Sequence, residues 1–207
     1  MRQPSSPSPV SAASAARRID AVVLGASAGG VAAIGTLLGA LPAGFEAAIV
    51  VVVHLPPTGG TSLQHVFSSH CVLPIQEAED KECIEPGRIY LAPPDYHLLV
   101  EPDKTLSLSG DAPVNYSRPS IDVLFESAAF AYRDSLLGIV LTGASADGAA
   151  GLAAIRACGG LAWVQSPDEA TAKMMPEAAI ARAGADLVAP VHEIATRLAR
   201  LRDALHE

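Results

Sequence analysis

The chain has 207 residues, half of them hydrophobic, 17% charged and 4% aromatic, with a formal charge of −8. This composition can bury a sizeable core, and it excludes a disordered chain, a collagen-like repeat and a disulfide scaffold. Every acid lies after residue 18, and so acidic a body argues against nucleic acid as a partner, because phosphate binding needs a basic footprint. Cys71, Cys83 and Cys158 are widely spaced with no CxxC pattern, which reads as three reduced, mostly buried thiols of a cytoplasmic protein.

Residues 1–18 are rich in Ser, Pro and Ala and contain Arg17-Arg18. A disordered tail is expected there rather than a transit peptide or twin-arginine signal, with one domain filling 19–207. Residues 21–45 carry no charge but hold six glycines; they divide into a strand, a Gly-rich turn and a helix rather than a membrane span, and no membrane insertion is expected. Asp20–Leu24 reads as a strand, Val31–Leu41 as a helix and Ala48–Val53 as a strand apolar on both faces. Ser62–Ser69 reads as a helix. Between 71 and 110 the short segments Arg88–Leu91, Tyr96–Val100 and Leu106–Leu108 predict short strands and a hairpin packed on the main sheet, antiparallel to it. Alternation then resumes: helix Ser120–Tyr132 with Ser120 as N-cap, strand Leu136–Leu141, helix Ala149–Ala157, strand Leu161–Gln165, helix Glu177–Ala183, strand Asp186–Ala189, and a terminal helix with apolar residues from Val191 to Leu205 at 3-4 spacing. The expected fold is α/β: a doubly wound, mostly parallel sheet with helices on both faces and a short β-hairpin insertion.

In such a sheet, ligands collect beyond the carboxyl ends of the strands. There the first strand is followed by Gly25-Ala26-Ser27-Ala28-Gly29-Gly30, the second by His54, and a later one by Thr142-Gly143-Ala144-Ser145-Ala146-Asp147. A hydroxyl, a base and a carboxylate on one rim form the set that nucleophilic acyl transfer requires. The turn around Ser27 resembles a nucleophile elbow, although it also reads as a plain Gly-rich βα turn. Dinucleotide binding fits less well, because the glycines are spaced GxxxGG and no acid ends the second strand. No GK[ST] follows them and no HExxH is present, so neither a P-loop nor that zinc motif is read. His65, His70, His192 and His206 read as solvated, and His97 as structural or lining a cleft.

The segments GASAGG (25–30), VVVHLPP (51–57), IYLAPPDYHLLV (89–100), RPSIDVLF (118–125), GIVLTGASADGAAGL (138–152) and MPEAAI (175–180) together resemble the catalytic domain of bacterial chemotaxis protein-glutamate methylesterases of the CheB type. The resemblance implies a triad of Ser27, His54 and Asp147. It also implies oxyanion donors at Ala28 and in the loop of Gly143, Ala144 and Ser145, with His97, Arg118 and Met175 near the substrate. The implied activity is hydrolysis of glutamate γ-methyl esters, with deamidation of some glutamines, on methylated chemoreceptor helices. A separate regulatory or methyltransferase protein is a further partner it allows; it implies no cofactor and no metal. The family's receiver domain is expected to be absent, and activity is expected to be indifferent to phosphodonors. Relatives commonly carry Met-Gly-Asn where Ala144-Ser145-Ala146 stands, so strain from a left-handed Ser145 is expected to slow the enzyme. An alternative of a different class is a catalytically weakened receptor-binding module of the same fold.

Overall fold

A computed structural model describes residues 18–54 and 62–201. The expected tail lies, except for Arg18, outside the described residues, as do residues 55–57 of the VVVHLPP segment, His206 and Leu205.

Nine strands and six α-helices follow one another in the described residues: β1 (Ala21–Ala26), α1 (Gly30–Gly39), β2 (Ala48–Val53), α2 (Leu63–Ser68), β3 (Ile75–Glu77), β4 (Ile89–Leu91), β5 (His97–Val100), β6 (Leu106–Ser109), α3 (Ile121–Tyr132), β7 (Leu136–Val140), α4 (Ala149–Ala157), β8 (Leu161–Gln165), α5 (Met174–Ala183), β9 (Leu187–Ala189) and α6 (Val191–Ala199). Seven strands form one sheet in the order β3-β4-β2-β1-β7-β8-β9, and every pairing in it is parallel. β5 and β6 form a separate antiparallel hairpin. The expected fold class is the one observed.

Burial follows from that position in the sheet. All six residues of β1 and all six of β2 are buried, as strands covered on both faces require. Val22 and Leu24 pack with Ile34, Leu37 and Leu198 on one face. Val23, Val50 and Val52 pack with Ile121, Phe125 and Leu152 on the other. Alternate residues of a strand point to opposite faces, so two cores sandwich the sheet.

Three expectations need correction. β3 was not read from the sequence, and β4 lies parallel inside the main sheet rather than antiparallel to it. Three-residue strands are too short to display a period. α5 begins at Met174 rather than Glu177, because a proline is tolerated in the first helical turn. Of the cysteines, Cys83 is exposed while Cys71 and Cys158 are half-buried; the Cys83 backbone pairs with Thr105 in an isolated antiparallel bridge. The uncharged run 21–45 resolves into β1, a turn and α1 as expected. No helix among the described residues is long and apolar enough to cross a membrane.

Candidate active site

The parallel register places Ala26 opposite Val53, so Ser27 and His54 are the next residues out of adjacent strands. The His54 N–H donates to Ala26 O at 3.0 Å and the Ser27 N–H to Thr142 O at 2.9 Å. β1, the sheet's central strand, thus brings together the ends of β2 and β7. Ser27 turns sharply into α1 through Gly29, whose φ is +79°. A side chain there would also collide with Thr171, whose Cβ and Oγ1 would lie 2.7 Å from its Cβ. Ser27, Ala28, Gly29 and His54 line one end of a cleft of about 1000 Å³ running along α1 towards Phe67 and His70.

Asp147 precedes α4 and is fully buried. Its Oδ2 accepts from His54 Nε2 at 2.9 Å and from the Ile121 N–H at 2.6 Å. Its Oδ1 accepts from Asn115 Nδ2 at 2.8 Å, Ser120 Oγ at 2.8 Å and the Asp122 N–H at 3.1 Å. Burial works to raise the pKa of this carboxyl, but the hydrogen bonds from His54, Asn115, Ile121 and Asp122 outweigh it and bring it down to about 2. The positive end of α3 acts in the same direction. Asp147 is therefore an anion at neutral pH, held by five donors in one orientation.

Because Nε2 faces Asp147, the nitrogen left for proton transfer is Nδ1, and the Ser117 hydroxyl lies 3.4 Å from it. Among the described residues Ser27 Oγ has no hydrogen-bond partner. A hydroxyl beside an imidazole fixed by a buried carboxylate can give up its proton as it attacks a carbonyl, and apo sites often tighten such bonds only with substrate present.

The remaining predicted residues divide. Among the described residues the Ala28 N–H has no acceptor, and it sits at the start of α1, where a developing oxyanion is favoured. The Gly143 N–H is spent on Ala172 O at 2.9 Å, so it cannot be an oxyanion donor as expected. Ala144 is exposed and Ser145 half-buried. Ser145 is not among the residues of positive φ, so the expected left-handed strain is absent; its hydroxyl accepts the Asp147 N–H at 3.3 Å. Met175 is buried beside Gly143, whose own position is 3.0 Å from Ser27 Cβ when a Cβ is added. His97 does not line the cleft. It is buried, with Nε2 at 3.1 Å from Ala112 O and Nδ1 accepting the Ser120 N–H at 3.1 Å. Arg118 ties loops together through Asp95 and the carbonyls of Gly110 and Asp111, which occupies its guanidinium. Ser120 is the N-cap residue of α3, but no side-chain cap bond forms there, since its hydroxyl serves Asp147.

Sequence reasoning missed Asn115 and Thr142. Thr142 Oγ1 donates to Ala28 O at 2.8 Å and accepts from the Ala172 N–H at 2.9 Å, bracing the turn that carries Ser27. Its place beside the strand end was visible in the sequence; its bond to Ala28, 114 residues away, was not. Among the described residues no group of three His, Cys, Asp or Glu side chains could hold a metal ion.

Residues 22–198 match the family model described as CheB methylesterase. A Leptospira interrogans protein named as a protein-glutamate methylesterase/protein-glutamine glutaminase is 47% identical over 182 residues, 88% of this chain and 94% of that one. The protein of that name from Trichodesmium erythraeum is 38% identical over 88% of this chain but only 53% of its own length. The chain thus spans nearly all of the first relative and about half of the second. The crystal structure of the Thermotoga maritima CheB methylesterase catalytic domain superposes with a TM-score of 0.83 at 33% identity, covering 88% of this chain and 98% of that one. The family match, the relatives and the shared fold agree, and the chain belongs to the CheB methylesterase family.

Proposed function

We propose that this chain hydrolyses glutamate γ-methyl esters on chemoreceptors, with Ser27 as nucleophile, His54 as base and Asp147 as orienting carboxylate. The observation that carries the reading is the buried 2.9 Å bond between His54 and Asp147, one strand away from a serine at a helix start. Ser27 Oγ attacks the ester carbonyl while its proton passes to His54 Nδ1, displacing the Ser117 hydroxyl from that nitrogen. Negative charge on the carbonyl oxygen is met by the Ala28 N–H. Collapse expels methoxide, which takes the proton from His54 and leaves as methanol. Water then gives a proton to His54 as its oxygen attacks the acyl-serine; collapse expels the Ser27 oxygen, which takes that proton back from His54, and frees the glutamate side chain. A glutamine amide would follow the same course with ammonia leaving. Asp147 stays ionised throughout and fixes the ring. The substrate side chain enters from solvent, as expected for methylated helices of a cytoplasmic receptor domain.

Release of methanol from a methylated receptor fragment tests this directly. Ser27→Ala, His54→Ala and Asp147→Ala are each expected to lower turnover by roughly 10³–10⁴-fold or more, with combined variants no worse than the worst single one. Near-wild-type methanol release by Ser27→Ala would refute the reading. A fluorophosphonate probe that labels the wild type but not Ser27→Ala gives the same answer without the receptor.

A further inference from the structure

Val114 and Ser117 exchange two backbone hydrogen bonds, of 3.1 and 2.9 Å, and the two residues between them have positive φ, 50° at Asn115 and 62° at Tyr116. That is the signature of a type I′ hairpin turn, in which Asn is favoured for its backbone alone. A turn residue chosen only for that reason would leave its amide in water. Here Asn115 Nδ2 spends its two hydrogens on two different carboxylates, Asp147 Oδ1 and Asp122 Oδ2, both at 2.8 Å. Both carboxylates are buried, and the second is also held by the Gly151 N–H at 2.7 Å.

We infer that Asn115 is a positioning residue of the active site, an amide bridge that lets two buried carboxylates sit side by side and keeps Asp147 ionised and aimed at His54. The inference rests on the reading of His54 as the base. Burial and the charge of Asp147 both push the Asp122 carboxyl up, as expected where two carboxylates crowd one buried site. The titratable groups facing Asp147 are His54 from the end of β2, and Asp122 and, one turn further on, Glu126 from α3; Asn115 is the neutral donor among them. Without its amide, the pair faces His54 with its negative charge less compensated, which favours the imidazolium and holds the imidazole protonated to higher pH.

Asn115→Gly is the cleanest variant, since glycine accepts the left-handed turn without strain. Asn115→Asp keeps the size and the turn but replaces the donor with a third carboxylate. Two readouts are taken on the full chain: the rate of fluorophosphonate labelling against pH, and the titration of the His54 imidazole by NMR, with melting temperature as the check on folding. In Asn115→Gly the acid limb of labelling and the imidazole titration are expected to move up by about one pH unit, and the plateau to fall roughly tenfold. Asn115→Asp moves both further. A slower plateau with an unmoved limb and an unmoved imidazole titration, in variants that melt like the wild type, would show a structural turn only and overturn the inference. The imidazole titration needs no activity. A wild type that never labels, with the NMR shift present, would sink the functional reading and leave the bridge standing.

Discussion

A methyl group added at Gly143 would lie 2.5 Å from Met175 Cε and 3.0 Å from Ser27 Cβ. The methionine methyl is the far end of a flexible side chain and can swing away. Ser27 Cβ is fixed to a backbone that is itself bonded to Thr142, so the nucleophile must shift. Gly143→Ala is therefore expected to cost about 1–2 kcal/mol in stability as overpacking. Its larger effect is on position: labelling by a fluorophosphonate should fall roughly tenfold, since small displacements of a reacting group are expensive. A variant that lost stability yet labelled at the wild-type rate would show that Met175 alone takes up the clash. Ser145 gives the opposite lesson. Its ordinary backbone and its hydroxyl on the Asp147 N–H mean that replacing Ala144-Ser145-Ala146 by Met-Gly-Asn removes a contact and relieves no strain. That replacement is expected to leave kcat unchanged or lower, measured by methanol release; a tenfold gain would contradict it.

The element that organises the site is the start of α3. Its first two N–H groups and the Ser120 hydroxyl converge on Asp147, while the Ser120 N–H goes to His97, so the helix is capped by side chains from two other parts of the chain. α3 is held in that place by α4, which approaches so closely that a Cβ on Gly151 would fall 2.4 Å from Phe125 Cβ and 3.1 Å from the Asp122 backbone. Gly151→Ala is expected to push the helices apart, lowering stability by about 1–3 kcal/mol and activity with it, because Ile121 and Asp122 move with α3. Urea denaturation and methanol release on the same preparation measure both losses; lowered stability with intact activity would detach α3 from the chemistry. Much of this scale was legible in the sequence. Ala48–Val53 and Leu161–Gln165 are apolar runs of strand length, and Ser27, His54 and Asp147 follow strands on one rim by counting alone. Asn115, Thr142 and the true roles of His97 and Ser120 were not legible, because each acts through at least one partner 15 or more residues away in sequence, and no local period reports such pairings. The family resemblance implied that Arg118 lies near the substrate, and the place of His97 in an apolar segment allowed either a structural or a cleft-lining role. Both are consumed by internal hydrogen bonds.

At the scale of the whole molecule, the buried carboxylates of the site make stability depend on pH. Asp147 has a pKa near 2 in the fold, against an ordinary value of 3.8. A carboxyl whose pKa is depressed by folding contributes stability that is fully present above the ordinary value and is lost as pH falls through the folded one. The window is thus from about pH 4 to about pH 2, and the shift corresponds to about 2 kcal/mol. Asp122 and Glu126 run the other way. Burial raises both, so their protonation favours the folded state as pH falls and offsets part of the loss. The comparison that isolates Asp147 is therefore between the wild type and Asp147→Asn, in which the other acids remain. Asp147→Asn is expected to be less stable at pH 6, since an amide cannot accept from five donors. Between pH 4 and pH 2 it should lose about 2 kcal/mol less than the wild type, so that the two curves converge in acid. Urea midpoints at pH 6, 4, 3 and 2 measure this. Curves that stay parallel to pH 2 would mean that the buried carboxyl gains nothing from its five donors when ionised, and the orienting anion assigned to His54 would have to be sought elsewhere.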